Sequence, residues 1–358
     1  MKRESVFQTW QALERYITLC FSLDIHKKEL SAQVINANLI QACAYNTYIE
    51  TLSNKADTIF RYIKESDTAG FTFSYLAFIE QVAKKIHLKD KSVMLAIDYT
   101  KESFWGNVQG VDIFGVKKTD KGSGAFKFLT VSQVSSKIHA KIPLISIPVK
   151  MGHNKSHAIS HCISLLSKCI GNIDVILFDR EFYIKELLMT LNHQDLPYLI
   201  FVPKKKGEIS DTLLDMIPGE TLTKVHTFDV NIHKTVLHDQ TTMMFLKAIF
   251  DGKTYEHYDW CFVTNLTDFD IEKTIPTYKC RWRIETGFRI QDEADSKTKS
   301  ISMDIRYFFF LYEQLLQSIW YVFYKKDDEV SFKQFLITLN NFVQEQISIE
   351  DSKVHITN

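Results

Sequence analysis

The first 85 residues repeat their apolar positions at steps of three and four, which is the spacing of one face of an α-helix. The first such stripe comprises Val6, Trp10, Leu13, Ile17 and Phe21. Similar stripes follow over residues 32–48, 56–63 and 73–86, and no alternating strand pattern interrupts them. Residues 1–88 are therefore predicted to form a helical N-terminal domain.

The pattern changes at Val93 to short apolar runs that are typical of strands. Three such runs come first, VMLAID (93–98), FKFLTV (126–131) and IPLISIPV (142–149). Two units of helix and strand follow, and their strands are IDVILFD (173–179) and PYLIFVP (197–203). This order predicts an α/β fold, a mixed sheet flanked by helices, whose first part spans residues 89–203.

After residue 203 the alternation of strands and helices stops. The cluster KKKGE, a turn and β-like segments such as HTFDVNI follow, and together they predict a β-rich insertion. The strand YDWCFVT then returns to the core. Helical patterns follow from about Ile275, after Tyr307, and from Ser331, which is a suitable N-cap residue. The predicted insertion spans residues 204–257. The second part of the core spans residues 258–325, and the C-terminal helix with its tail spans residues 326–358.

Composition bears on partners and cellular setting. Lys and Arg equal Asp and Glu at 43 each over 358 residues, so the net charge does not favour nucleic acid. The six cysteines form no CxxC pair and no zinc-finger spacing, which favours a reduced, cytoplasmic setting. The most apolar run contains Glu313, Gln314 and Gln317, so it predicts a buried helix and no membrane span.

Two of the predicted strands end in an aspartate, Asp98 and Asp179. The carboxyl ends of strands in open sheets are where functional sites gather. A carboxylate after a buried strand is costly unless it is solvated, paired or bound to metal. Each aspartate alone is also compatible with an ordinary strand-end turn. Because the strand order can place the two side by side, they are candidates for a shared site.

The third candidate acid is Glu285, in the stretch YKCRWRIETGF (278–288). Tyr278, Arg281 and Glu285 are spaced at i, i+3 and i+7, which places them on one face of a helix, and Arg289 lies one turn beyond. A carboxylate beside guanidinium groups stays ionised, the form that binds a hard divalent cation. The same spacing also fits a solvated helix with internal ion pairs.

Together, IDYT (97–100), FDREFY (178–183) and YKCRWRIETGF resemble the catalytic motifs of DDE-type insertion-sequence transposases. The resemblance is to the subgroup whose third motif is Tyr-x2-Arg-x3-Glu, and it covers about residues 90–320. It implies an RNase H-like core, a helical N-terminal DNA-binding domain and a β-rich insertion before the glutamate.

The resemblance implies that Asp98, Asp179 and Glu285 are the catalytic residues and also the metal ligands. They would hold two Mg²⁺ ions, for which Mn²⁺ can substitute, since a metal pair serves in-line phosphodiester chemistry. The implied DNA contacts are Tyr278 and Arg281. Further candidate contacts with the DNA backbone are Arg289 and the basic cluster of Lys204, Lys205 and Lys206. The implied partners are double-stranded DNA, at the element ends and the target, and a second subunit in a homodimer on DNA. The implied setting is prokaryotic and nucleoid-associated.

One position departs from the subgroup, which usually has a Lys seven residues after the Glu. That position is Asp292 here, and Arg289, Lys297 and Lys299 are the nearby cations that could replace the missing contact. Two other functions therefore stay open beside DNA transposition. One is another RNase H-like nuclease or resolvase, and the other is a catalytically inactive, DNA-binding relative of transposases.

Overall fold

The structure is a computed structural model. It describes residues 3–21, 30–108, 110–117, 122–138, 141–203, 207–232, 235–249, 259–267, 270–324 and 330–356.

Helices occupy the described residues up to 85, as the apolar periodicity predicts. They are α1 (Arg3–Phe21), α2 (Ala32–Tyr45), α3 (Ile49–Leu52), α4 (Ala56–Glu65) and α5 (Thr68–Lys85). The stripe predicted over residues 32–48 is divided between α2 and α3. Asn46 adopts a left-handed conformation (φ 50°) and ends α2, a conformation that asparagine tolerates better than most residues.

One mixed sheet contains nine strands of the described chain. They are β1 (Val93–Phe104), β2 (Phe114–Gly115), β3 (Gly124–Gln133), β4 (Pro143–Val149), β5 (Ile173–Phe178), β6 (Tyr198–Phe201), β7 (Thr221–Ile232), β8 (Thr235–Leu246) and β9 (Trp260–Thr264). The core strands run in the order β4, β3, β1, β5, β6. Strand β3 is antiparallel to β1, whereas β5 and β6 run parallel to it. This is the order of an RNase H-like core, and the predicted mixed α/β fold is confirmed.

The segment predicted as an insertion joins the same sheet. Helix α8 (Glu208–Asp215) precedes the hairpin of β7 and β8, and β8 pairs with β9 over Thr242–Thr264 to Leu246–Trp260. Strand β9 also pairs with β6, so the hairpin extends the core sheet at its far edge. The domain limits drawn from the sequence, at residues 88, 203, 257 and 325, stay predictions.

The remaining helices are α6 (Lys155–Leu166), α7 (Lys185–His193), α9 (Ile271–Lys279), α10 (Trp282–Gln291), α11 (Met303–Phe323) and α12 (Phe332–Ile356). Helix α12 begins as predicted after Ser331. The hydroxyl of Ser331 accepts from the Gln334 N–H, and the Gln334 side chain accepts from the Ser331 N–H. This reciprocal pair is a capping box.

The helix expected from about Ile275 is instead two helices, α9 and α10. Helix α9 begins earlier, at Ile271, because the Asp270 side chain accepts from the Lys273 N–H. At the junction, the Arg281 N–H bonds to Tyr278 O (2.9 Å) and the Ile284 N–H to Arg281 O (3.0 Å), a step of three residues. This tighter turn replaces the continuous helix face on which Tyr278, Arg281 and Glu285 were expected.

Helix α11 lies at the centre of the packing and is buried along nearly its whole length. Its Phe310 stacks on Phe128 of β3 with ring centroids 4.2 Å apart. The Gln314 carbonyl oxygen accepts from the Ser146 hydroxyl of β4, and the Gln317 amide donates to Gly287 O of α10 (2.7 Å). These bonds fix α10 relative to the sheet. Among the helices of the described ranges, none is long and apolar enough to cross a membrane.

Glu313 is a buried carboxyl group on α11 that gives the stability a distinctive pH dependence. Burial raises its pKa well above the ordinary value, and Glu102 and Asp295 raise it further. A raised folded-state pKa contributes stability below the unfolded value of about 4.3, and this stability is lost as the pH rises through the raised pKa. We expect Glu313→Gln to melt about 2–4 °C above wild type at pH 8, the shift that about 1 kcal/mol gives in a large domain. The difference should shrink at pH 5.

Thermal melts at both pH values check this expectation, with Glu80→Gln as the control. Glu80 is exposed, pairs with Lys84 at 2.9 Å, and has a lowered pKa, so its contribution has the opposite sign. An equal loss of stability for Glu313→Gln at both pH values would contradict the expectation. It would mean that the bonds to Ser296 outweigh the cost of burying the charge.

Candidate active site

Asp98 and Asp179 lie on neighbouring parallel strands at the same level of the sheet. The register of β1 and β5 pairs Ile97 with Phe178, so the two aspartates are the next residue on each chain. Adjacent strands are about 4.8 Å apart, which brings the two backbones together as the sequence predicts. Asp98 lies within β1, whereas Asp179 follows β5 and begins the short 3-10 helix Arg180–Phe182.

Asp98 is a largely buried acid with an incomplete set of partners. One carboxylate oxygen, Oδ1, accepts from the Tyr99 N–H at 2.8 Å, and Oδ2 accepts from Nη1 of Arg281 at 2.9 Å. Burial raises the pKa of Asp98 to about 6, against the lowering effects of Arg281 and the Tyr99 N–H. Asp179 and Glu181 raise it further. By formal charge, the carboxylates of Asp98, Asp179 and Glu285 outnumber the single guanidinium of Arg281.

Arg281 joins Asp98 to the third acid. Its Nη2 donates to Oε1 of Glu285 at 2.7 Å while Nη1 holds Asp98. Since both bonds come from one planar guanidinium, the bonded carboxylate oxygens are at most about 8 Å apart. The Arg281 side chain is 6% exposed, and its buried Nε has no hydrogen-bond partner among the described residues. Glu285 thus points towards Asp98, and its own side chain is about half exposed (48%).

Tyr278 lies under Arg281 in a hydrophobic cluster of its own helix and the neighbouring strands. It is 3% exposed and contacts the rings of Trp260, Phe262 and Phe201. Burial raises the pKa of its phenol well above the ordinary value. The Arg281 guanidinium carbon is 5.7 Å from its ring centroid. Tyr278 therefore supports Arg281 from below and presents almost no surface to a ligand.

Of the other predicted DNA contacts, the structure describes Arg289 alone. Arg289 is exposed on α10 and donates to the Thr286 hydroxyl at 3.2 Å. Lys204, Lys205 and Lys206 lie outside the described residues.

Asp292, which replaces the usual Lys, lies near a second acid. Partial burial raises its pKa, and Asp295 raises it further. It lines a cavity of about 610 Å³ together with Lys101, Lys297 and Arg306. The sequence did not predict this cavity, because its lining comes from separate segments. Lys299 lies over the Tyr48 ring at 5.3 Å.

The three acids offer carboxylate oxygens, the donors that Mg²⁺ and Mn²⁺ prefer. Within the ranges that the structure describes, no three carboxylate, imidazole or thiol groups are already arranged around one cation position. The Arg281 guanidinium lies between Asp98 and Glu285, where it bonds to both. The donor set fits a divalent cation, provided that this guanidinium moves aside.

Comparison with known proteins gives two findings. A family model described as "Transposase DDE domain" matches residues 116–293, a range that contains Asp179 and Glu285. The chain is also similar in structure to the piggyBac transposase, solved by cryo-EM as a synaptic complex with hairpin DNA. That match has 13% identity and a TM-score of 0.59, and it covers 96% of this chain and 81% of the other. A comparison with curated proteins gives no match.

At 13% identity the structural likeness establishes a shared fold, and the domain match establishes the family. The RNase H-like order of the core strands agrees with both. The chain therefore belongs to the DDE transposases, a family of metal-dependent polynucleotidyl transferases that act on DNA.

Proposed function

We propose that this protein cleaves phosphodiester bonds at the ends of an insertion sequence and transfers the 3′ ends to target DNA. The proposal assigns the metal-binding and catalytic roles to Asp98, Asp179 and Glu285. The observation that carries it is the Arg281 bridge between Asp98 and Glu285, beside the strand end that bears Asp179.

The acids would hold two Mg²⁺ ions, or Mn²⁺ in their place. When bound, such a pair activates the attacking oxygen and stabilises the leaving oxygen of an in-line displacement. The surplus of negative charge around Asp98 supports this assignment, because it favours a cation there. Asp98 sits on a rigid central strand and Glu285 on a helix fixed by Gln317, so the protein pre-positions the two ends of the site.

Without metal, Arg281 offsets part of the negative charge of the two carboxylates that it bridges. When it turns away, its planar guanidinium can hold a DNA phosphate through two hydrogen bonds, as arginine often does. The buried Tyr278 ring would then stay in place beneath Arg281 while the Arg281 side chain changes its conformation. Exposed Arg289 contacts the backbone from outside, and Lys204, Lys205 and Lys206 are proposed to do the same.

The proposed partner is duplex DNA, at the element ends and at the target, and joining two ends calls for a homodimer on DNA. The helical segment of residues 1–88 is proposed to recognise the element ends. The proposed setting is the prokaryotic cytoplasm, at the nucleoid. There the six cysteines, which form no disulfide among the described residues, would stay reduced.

The acids are tested by Asp98→Asn, Asp179→Asn and Glu285→Gln. We expect each variant to lose Mg²⁺-dependent cleavage and joining by more than the 10–100-fold typical of a lost outer-shell partner, because each removes a ligand charge. The assay follows labelled DNA that carries the inverted repeats flanking the gene, with DNA binding measured in parallel.

The matched control is Asp174→Asn, an exposed acid on β5, the strand that leads to Asp179. It should retain both activities. Cleavage without joining in wild type would indicate another nuclease or resolvase. Binding without cleavage in either metal would indicate an inactive relative, and Asp292→Lys would then be the first variant to test for restored activity.

Arg281 is tested by its effect on metal binding in the absence of DNA. We expect Arg281→Gln to bind Mn²⁺ at least about fivefold more tightly than wild type, measured by electron paramagnetic resonance. A positive charge about 4 Å from a bound cation repels it by about 1 kcal/mol even in bulk water, so removing that charge strengthens cation binding.

Arg283→Gln is the control, since Arg283 lies two residues on and donates to the Val134 carbonyl instead. It should bind Mn²⁺ as wild type does. Weaker binding by a folded Arg281→Gln would mean that Arg281 holds the carboxylates in place for metal, and the proposed displacement would be wrong.

A further inference from the structure

An aromatic pair connects the strands of the two candidate aspartates on the side of the sheet opposite Arg281. Tyr99 follows Asp98 directly, and its N–H bonds to that carboxylate. Its ring stacks on Phe182, three residues after Asp179, with centroids 5.0 Å apart and planes 13° apart. The Tyr99 hydroxyl also bonds to Nε2 of His153 at 2.6 Å. The pair therefore forms a fixed platform one residue from the candidate metal site.

Two lysine ammonium groups lie over this platform. Lys127 of β3 has its Nζ 4.1 Å from the Tyr99 ring centroid. Lys155, the first residue of α6, has its Nζ 5.7 Å from Tyr99 and 5.4 Å from Phe182. Its ammonium also donates to the Glu181 backbone carbonyl at 2.7 Å. Cation–π contacts of this kind orient the two charges over one surface.

Positive charge exceeds negative charge around Lys127. The strand register places it directly opposite Lys101, and like charges in that position are destabilising. Among its contacts in the described part of the chain, Glu181 supplies the carboxylate at ion-pair distance, 3.8 Å away. Burial lowers the pKa of Lys127, and Lys101 and Lys155 lower it further against the pull of Glu181. Burial also lowers the pKa of His153, with the two lysines adding to the effect.

An arrangement in which two ammonium groups lie over one surface, with one carboxylate at ion-pair distance from Lys127, is suited to binding an anion. We propose that Lys127 and Lys155 bind a backbone phosphate of the DNA, next to the phosphate that is cut. This inference rests on the proposed function, because it assumes that DNA crosses the sheet edge at Asp98. The phosphate would relieve the repulsion, and the aromatic platform would hold the ammonium groups in place for it.

The test measures the binding of labelled element-end duplex by fluorescence anisotropy, in EDTA, over a series of NaCl concentrations. We expect Lys127→Met to lower the slope of log K against log salt by about 0.9, the value for one phosphate contact on B-DNA. Binding should weaken about five- to tenfold at about 0.1 M salt. Lys155→Met should weaken binding in the same direction, and Lys127→Arg should restore the wild-type slope.

The matched control is Lys247→Met. Lys247 is 17% exposed and 3.9 Å from Asp259, whereas Lys127 is 18% exposed and 3.8 Å from Glu181. The control should keep the wild-type slope. In the absence of DNA, Lys127→Met should melt at or above the temperature of wild type, because it removes a repelled charge, and Lys247→Met should melt below it.

Three results would overturn the inference. An unchanged slope for Lys127→Met, with a lower melting temperature, would show a structural lysine. Normal DNA binding combined with loss of stabilisation by inorganic phosphate would show a small-anion site. Failure of the wild-type protein to bind duplex DNA would contradict both the proposed function and this inference. Failure of the lysine site alone would leave wild-type binding intact, so the two results can be told apart.

Discussion

The burial of α11 is the constraint on which the arrangement of the site depends. On a helix that is enclosed nearly all round, hydrogen bonds from the polar side chains are important, because an unpaired buried polar group costs free energy. Gln314 finds its partner on β4 and Gln317 finds its partner on α10. The second bond holds the backbone of the Glu285 helix against the sheet, so that Glu285 can share Arg281 with Asp98.

The two faces of β1 carry opposite electrostatic imbalances one residue apart. On the face of Asp98, acids outweigh the single guanidinium that bridges them. On the face of Tyr99, ammonium groups outweigh the carboxylate of Glu181. Each imbalance reduces the stability of the free protein and favours a ligand of opposite charge, a common compromise at functional sites. Strand alternation makes this possible, since adjacent residues project to opposite faces.

The pattern of apolar positions was sufficient to predict the helices before residue 85, the core strands and the neighbouring positions of the two aspartates. It wrongly ended the first strand at Asp98, because β1 continues to Phe104 as the partner of β3. These features depend on local periodicity and on the few topologies open to such a strand order. The break between α9 and α10 was not predicted, because Arg281 keeps a helical backbone and only its hydrogen bonds change. The platform of Tyr99 and Phe182, like the cation pair over it, arises from residues far apart in sequence. No spacing rule detects such a contact.

The order in which the chain is synthesised has a consequence for when the site can exist. Asp98 and Asp179 are made early, Glu285 is made about a hundred residues later, and α11, which holds the Glu285 helix, follows last of these parts. An incomplete chain emerging from the ribosome can form the strands, but it lacks the surface against which α10 docks. The proposed set of acids can therefore come together only after α11 has been synthesised.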